Sequence, residues 1–214
     1  MHSGYWIEQS DGRRALVGGR GDANLPMDFE GYRWLHRRIA RNTDTRTLIA
    51  TITPPLVFTE VNSTTAKVLE TGFTNPQQLY WTGISNSFTL DWFLRQSVTT
   101  TLNMFFIYQC PVPRLTELDS RFHAIAHRAA RLICTTPEFD DLAKAVGLES
   151  HRDGATDPLE RARLRAELDG LVAHLYGLTE AEFVHILGTF PLVAQPVKVA
   201  AQNAYRDVER GLIT

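Results

Sequence analysis

The stretch Leu102-Asn103-Met104-Phe105-Phe106-Ile107-Tyr108-Gln109-Cys110-Pro111-Val112-Pro113 separates two halves of the chain that differ in character. Its apolar and aromatic residues, 102–108, predict a strand that ends at the two prolines. Strand-like and helical patterns are mixed before this stretch, whereas helical patterns follow one another after it. We therefore expect an α+β fold, with a mixed α/β domain at residues 1–113 and a helical region at residues 114–214.

The mixed half contains three further patterns. Two short apolar runs on either side of Asp11-Gly12 predict a small hairpin within residues 5–20. Residues 32–39 and the β-branched residues 47–53 predict a pair of strands joined by a polar turn. Apolar residues at helical spacing predict one helix over residues 76–97.

The helical half carries clear start signals. Thr136-Pro137 and Asp157-Pro158 each combine a capping residue with a proline at the first helical position. Thr179 and Glu182 form a capping box before an apolar run. Amphipathic spacing predicts helices at residues 115–134 and 196–210, and the polar residues 149–157 predict a mobile loop.

The bulk composition is that of a globular protein. The chain has 214 residues, of which 43% are hydrophobic and 21% are charged. Its two cysteines, Cys110 and Cys134, lie in apolar surroundings, which is typical of free buried thiols in a reducing cytoplasm. No apolar run reaches the roughly 18 residues that a membrane span needs. We therefore expect a cytoplasmic protein without membrane contact.

The charge is distributed unevenly. The formal net charge is −2, yet residues 31–110 contain six arginines and one lysine against four acidic residues. Most of this positive charge lies between Arg33 and Arg46. Arginine presents a planar fork that suits phosphates and guanine edges. A GC-rich genome produces the same bias toward arginine, so composition leaves both explanations open.

Two polar stretches in this basic region supply candidate DNA contacts, because their side chains offer charge, hydroxyl and amide groups. A solvated loop is the alternative interpretation of each stretch, and the arginines have Asp44 and Asp91 as possible partners within the fold. The eight candidates are Arg37, Arg38, Arg41, Asn42 and Arg46 in the first stretch, and Arg95, Thr100 and Asn103 in the second.

Catalytic patterns are missing from the sequence. It contains no His-Glu-x-x-His, Cys-x-x-Cys or Gly-x-Ser-x-Gly motif. His123 and His127 are spaced to share a helix face, but no third ligand is near them in sequence, so a solvated face is expected. We predict no metal site and no catalytic residue.

Four segments in sequence order resemble a known family. They are residues 32–55, which begin Tyr32-Arg33-Trp34-Leu35-His36, the run Gly83-Ile84-Ser85-Asn86-Ser87 with the helix after it, residues 102–113 with their Pro-x-Pro exit, and residues 164–190. Together they resemble the region after the catalytic domain of large adenine-specific DNA methyltransferases. These are the type IIG restriction-modification enzymes and the methylases of BREX phage-defence systems. The exit is also similar to that of TaqI-type and type I specificity domains.

The resemblance implies a target-recognition role and a missing catalytic part. Methyl transfer from S-adenosylmethionine to adenine requires an Asn/Asp-Pro-Pro-aromatic motif. Thr53-Pro54-Pro55-Leu56 departs from it at both ends, and the glycine-rich cofactor strand is absent. We therefore expect a chain that is not an enzyme alone and holds no cofactor. Its expected partners are double-stranded DNA and a methyltransferase catalytic domain or subunit, which would bind S-adenosylmethionine.

Two alternatives remain at this point. The acidic helical half could dock another subunit of a restriction or defence complex without contacting DNA. The chain could also be a fragment that folds but has lost its function.

Overall fold

The computed structural model describes residues 8–17, 27–59, 63–66 and 73–214. Within these residues the protein is a mostly helical α+β fold, which confirms the expected fold class. The strands are β1 (Arg33–Arg37), β2 (Ala50–Thr53) and β3 (Ser63–Ala66). The helices, in chain order, are α1 (Gln9–Val17), α2 (Asn75–Ser85), α3 (Phe88–Arg95), α4 (Met104–Tyr108), α5 (Ser120–Ile133), α6 (Asp140–Lys144), α7 (Pro158–Leu175), α8 (Glu180–Gly188) and α9 (Gln195–Glu209).

The three strands form one antiparallel sheet in the order β2-β1-β3. The predicted pairing of the first two strands is confirmed, with Trp34 opposite Ile52. Both of these side chains are buried, and the Trp34 ring lies 5.4 Å from that of Trp81 on α2. The sheet therefore packs its apolar face against α2, as period-two alternation requires.

The predicted helix at residues 76–97 is two helices, because Asn86 and Ser87 interrupt it. Ser87 caps α3 by accepting the Leu90 amide at 3.2 Å. The Asn86 side chain accepts the Ala50 amide at 3.1 Å and donates to the Ala50 carbonyl at 3.0 Å. Asn86 therefore completes the hydrogen bonding at the free edge of β2, and the break between the helices positions it there.

Two further sequence predictions of local structure were wrong. Residues 102–108 are not a strand, since Met104–Tyr108 form the short helix α4. The hairpin within residues 5–20 is also wrong where the structure describes it, because Gln9–Val17 form α1. Gly12 lies inside that helix, where a Cβ atom would approach the Phe58 ring to 2.4 Å. It is therefore a packing glycine and not a turn glycine. The rest of that prediction, at residues 5–7 and 18–20, lies outside the described residues.

The helix starts predicted from capping signals in the second half are confirmed, but Thr136-Pro137 opens a 3-10 helix, Pro137–Phe139, without a side-chain cap, and the helix predicted from residue 115 begins only at Ser120. Asp157 caps α7 and Thr179 caps α8, each through its side chain. Residues 149–157, predicted as a mobile loop, instead contain a 3-10 helix, His151–Asp153, which is held by a capping box between Ser150 and Asp153. Hydrogen bonds therefore hold this loop in a defined conformation, which its polar composition did not predict.

The hydrophobic core crosses the predicted boundary at residue 113. One cluster of buried side chains includes Trp34, Ile84, Ile125 and Leu168, which come from both halves. A second cluster joins Phe88 of α3 to side chains of α7, α8 and α9. The two halves thus differ in secondary structure but share their cores.

Both cysteines are free, and burial raises the pKa of each thiol to about 12. Such thiols remain protonated at neutral pH and are therefore poor nucleophiles. Among the described residues, no helix combines the length and the apolar character that crossing a membrane requires.

Candidate functional site

The two polar stretches singled out in the sequence lie side by side in the structure. The Ala40 amide donates to the Thr100 carbonyl at 3.2 Å, and the Leu102 amide donates to the Arg38 carbonyl at 2.8 Å. Ile39 and Thr101 form the antiparallel bridge between them. Residues 38–42 and 99–103 therefore form one continuous surface, which we call the polar edge.

Four of the eight candidate residues are exposed on the polar edge. They are Arg41, Asn42, Thr100 and Asn103, and Arg38 beside them is half-buried. The backbone of Arg41 is fixed at both ends, because its amide donates to Asp44 at 3.2 Å and its carbonyl accepts the Thr47 hydroxyl at 3.0 Å. The structure gives the Arg41 guanidinium no ion pair within the described part of the chain. This charge is therefore available to a ligand.

Arg37 lies next to the polar edge and is partly occupied. Its guanidinium donates to the Asp44 carboxylate at 2.9 Å and to the Arg46 carbonyl at 2.9 Å. About 40% of its side chain remains exposed. Arg37 therefore stabilises the turn that carries Arg41, and only part of its charge faces solvent.

Arg46 and Arg95 are directed into the fold. Arg46 donates through Nε to Asp91 at 2.7 Å, and its guanidinium lies 4.4 Å from the centre of the Phe88 ring. Arg95 donates to the Thr45 carbonyl at 3.0 Å and stacks 4.1 Å over the Phe190 ring. Hydrogen bonds and aromatic faces already occupy both guanidiniums, so the structure shows them as supports of the fold, while their contact with DNA stays a prediction.

Asp91 is the partner that turns these arginines inward. Its carboxylate is fully buried and also accepts the backbone amides of Thr47 and Leu48, each at 3.0 Å. The alternative noted in the sequence, that some arginines pair with Asp44 or Asp91, is therefore what the geometry shows. The same contacts anchor the loop that presents Arg41.

Sequence reasoning missed two exposed aromatic residues beside the polar edge. Phe105 and Tyr108 on α4 are 66% and 79% exposed. They share one face of the helix, while Leu102 and Ile107 are buried. A helical interpretation of residues 102–108 would have separated these two groups, whereas the strand interpretation did not.

Of the histidines in the described part of the chain, His36 lies on β1, whereas His123 and His127 lie on α5. His36 is fully buried, and burial lowers its pKa, which keeps the ring neutral at physiological pH. His123 is exposed, and burial together with Arg131 and Arg128 lowers the pKa of His127. Among the residues that the structure describes, no three His, Cys, Asp or Glu side chains converge on a possible metal position.

Comparison of the chain with protein-family models, with curated proteins and with solved structures gave no match. Function is therefore inferred from the residues themselves and from the geometry of the polar edge.

Proposed function

We propose that this chain binds the backbone of double-stranded DNA through the polar edge, as the target-recognition part of an adenine-specific DNA methyltransferase. The observation that carries the proposal is the pairing of residues 38–42 with residues 99–103. This pairing groups the free cation of Arg41 with the exposed side chains of Asn42, Thr100 and Asn103.

The side chains of the polar edge have the chemistry that phosphate contacts use. Most hydrogen bonds from proteins to DNA go to phosphate and sugar oxygens, and Arg, Asn and Thr are among the usual donors. The loop that carries Arg41 is held by Asp91 and Asp44 before any ligand arrives. A prepared surface loses less conformational entropy on binding than a flexible one.

The aromatic residues of α4 extend this surface. Phe105 and Tyr108 expose their rings within a few residues of Asn103. Flat aromatic faces beside cationic side chains recur on nucleic-acid-binding surfaces, where they stack on unpaired bases such as a base flipped out of the duplex. We therefore include Tyr108 among the residues expected to contribute to affinity.

Methyl transfer itself belongs, in this proposal, to a separate methyltransferase catalytic domain or subunit that binds S-adenosylmethionine. Incubated alone with duplex DNA and labelled S-adenosylmethionine, the chain should transfer no methyl group. Methylation of adenine by the chain alone would contradict the assignment of catalysis to a separate domain or subunit.

The binding prediction is tested by fluorescence anisotropy of a labelled duplex at several salt concentrations. The affinity should fall steeply as salt rises, because each phosphate contact releases a condensed counterion. Arg41→Gln should weaken binding several-fold and reduce the slope of log affinity against log salt by about one. The matched control is Arg210→Gln, an exposed arginine on another part of the surface.

Two results would overturn the proposal. The first is an absence of binding at low salt, which would favour the docking-module alternative. The second is an equal affinity of Arg41→Gln and Arg210→Gln, which would remove the polar edge as the site.

A further inference from the structure

A cavity of about 440 Å³ lies between the sheet and the helices, away from the polar edge. Its walls come from β2, α2, α3, α5, α7 and α9, and most of its lining is apolar, with Leu48, Ile133 and Leu168 as examples. Cavities of this size hold small organic ligands. No residue of the polar edge lines the cavity, so a ligand bound in the cavity does not occupy the proposed DNA-binding surface.

Helix α7 contributes three of the four charged groups of this cavity, and the fourth is Arg46, whose guanidinium is already paired with Asp91. Arg161, Arg165 and Asp169 are spaced one turn apart, and all three line the cavity. Two arginines at this spacing repel each other, and burial together with the neighbouring Arg165 lowers the pKa of Arg161. An anion between the two guanidiniums would relieve that repulsion.

The two arginines differ in how firmly they are held. Arg161 donates through Nη1 to the carbonyls of Leu132, at 2.9 Å, and Ala155, at 2.7 Å, which fixes its position at the end of α5. Its other N–H groups remain available. Arg165 is exposed and makes no hydrogen bond or ion pair with any residue in the described part of the chain. One cation is thus prepositioned and its neighbour is free, an arrangement that suits an incoming phosphate.

The cavity lining also includes a hydrogen-bond acceptor, the carboxylate of Asp169. Asp169 is buried and accepts the Phe88 amide through Oδ1 at 2.8 Å, which leaves Oδ2 for the cavity. Burial raises the pKa of this carboxyl to about 6, so it is mostly ionised at neutral pH. An amino or hydroxyl group on a ligand could donate to it.

We propose that this cavity binds a phosphate monoester with an organic body, of the size of a nucleoside monophosphate. The phosphate lies between Arg161 and Arg165, the body packs against Leu48 and Leu168, and a polar group of the body donates to Asp169. The apolar walls favour a ligand with an organic body over a free inorganic anion. The two arginines favour an anionic ligand over an uncharged apolar molecule.

The test is titration calorimetry of the full chain with AMP, CMP and ribose 5-phosphate, with adenosine as the ligand that lacks a phosphate. We expect saturable binding of at least one phosphate ester, and adenosine at least about tenfold weaker than AMP. Arg165→Gln should weaken ester binding about tenfold, the value of one charge-assisted contact. The matched control is Arg163→Gln, on the same helix, whose residue pairs with Glu167 and does not line the cavity.

A second pair of variants separates binding inside the cavity from general attraction to positive charge. Val197 and Val199 are both about half exposed on α9, but only Val197 lines the cavity. Val197→Trp should block ester binding, while Val199→Trp should leave it unchanged. Absence of saturable binding for all three esters, or equal binding by the two members of either variant pair, would overturn the assignment.

Discussion

At the scale of single residues, Asp91 determines which arginines remain free for a ligand. Its buried carboxylate accepts the backbone amides of Thr47 and Leu48 and holds Arg46 and Arg95 beside it. A carboxylate with this many donors stabilises the charged arginines that it faces. Arg41 has no such carboxylate partner among the described residues, and its side chain is exposed.

Replacing Asp91 tests this structural role. Asp91→Asn removes the charge opposite Arg46 and places an amide N–H group near backbone donors, so the free energy of unfolding should fall by about 3 kcal/mol. The measurement is urea denaturation. Asp44→Asn is the control, because the Arg37–Asp44 pair is 35–40% exposed, and it should cost about 1 kcal/mol or less. Equal losses for the two variants would contradict the role given to Asp91.

The sequence identified both acidic partners but could not assign them. Asp44 is only seven residues from Arg37, whereas Asp91 is 45 residues from Arg46. Which guanidinium reaches a carboxylate depends on the packing of α3 against the loop, and residue spacing does not encode that packing. The grouping of residues 38–42 with 99–103 was unpredictable for the same reason.

Asp169 gives the protein a specific pH dependence. Its pKa is raised to about 6 mainly by burial, with Asp91 adding to the shift and with Arg46 and the Phe88 amide opposing it. Because the folded state binds this proton more tightly than the unfolded state, stability should fall as pH rises from about 4 through about 6, by roughly 3 kcal/mol.

The comparison with Asp169→Asn isolates this contribution, since other groups titrate in both proteins. Urea denaturation near pH 4 and near pH 7 should show the variant gaining stability relative to the natural chain at the higher pH. A difference between the two proteins that does not change with pH would show that Asp169 does not carry the raised pKa.

At the scale of elements, capping residues predicted helix starts correctly, whereas the short apolar run of residues 102–108 gave the wrong type of element. Asp157-Pro158 and the Thr179–Glu182 capping box predicted helix starts that the structure confirms, because a cap acts within a few residues. The run of residues 102–108 fits either a strand or a helix, since five or six apolar residues do not define a period. In the structure Leu102 pairs with Arg38 across the polar edge, and the helix begins two residues later at Met104.

The closest approach of two long helices also depends on one residue. Gly170 on α7 faces the backbone of α9, where an added Cβ atom would lie 2.7 Å from the carbonyl carbon of Ala204. Gly170→Ala should therefore destabilise the protein by about 1–3 kcal/mol, although alanine favours helices. Gly188→Ala, where a Cβ atom meets nothing within 4 Å, should gain up to about 1 kcal/mol. Thermal unfolding of both variants measures the contrast, and a stabilised Gly170→Ala would refute the packing argument.

At the scale of the whole molecule, α2 and α3 link the two halves of the chain. α2 packs its buried side chains with those of α5 in the first hydrophobic cluster. Phe88 at the start of α3 belongs to the second cluster, with Phe183, Phe190 and Tyr205. Removing either half would therefore expose apolar surface on the other, at about 25 cal/mol for each Å² exposed.

This shared core predicts one cooperative unfolding transition. All four tryptophans lie within residues 1–113, so their fluorescence reports on that half, whereas circular dichroism reports chiefly on the helices, most of which lie after it. Urea transitions followed by the two signals should coincide, because neither half retains its core when the other unfolds. Two independent domains would instead show fluorescence and circular dichroism changing at different urea concentrations. The same experiment on Phe88→Ala, which removes the link between α3 and the second cluster, should lower the midpoint of both signals together.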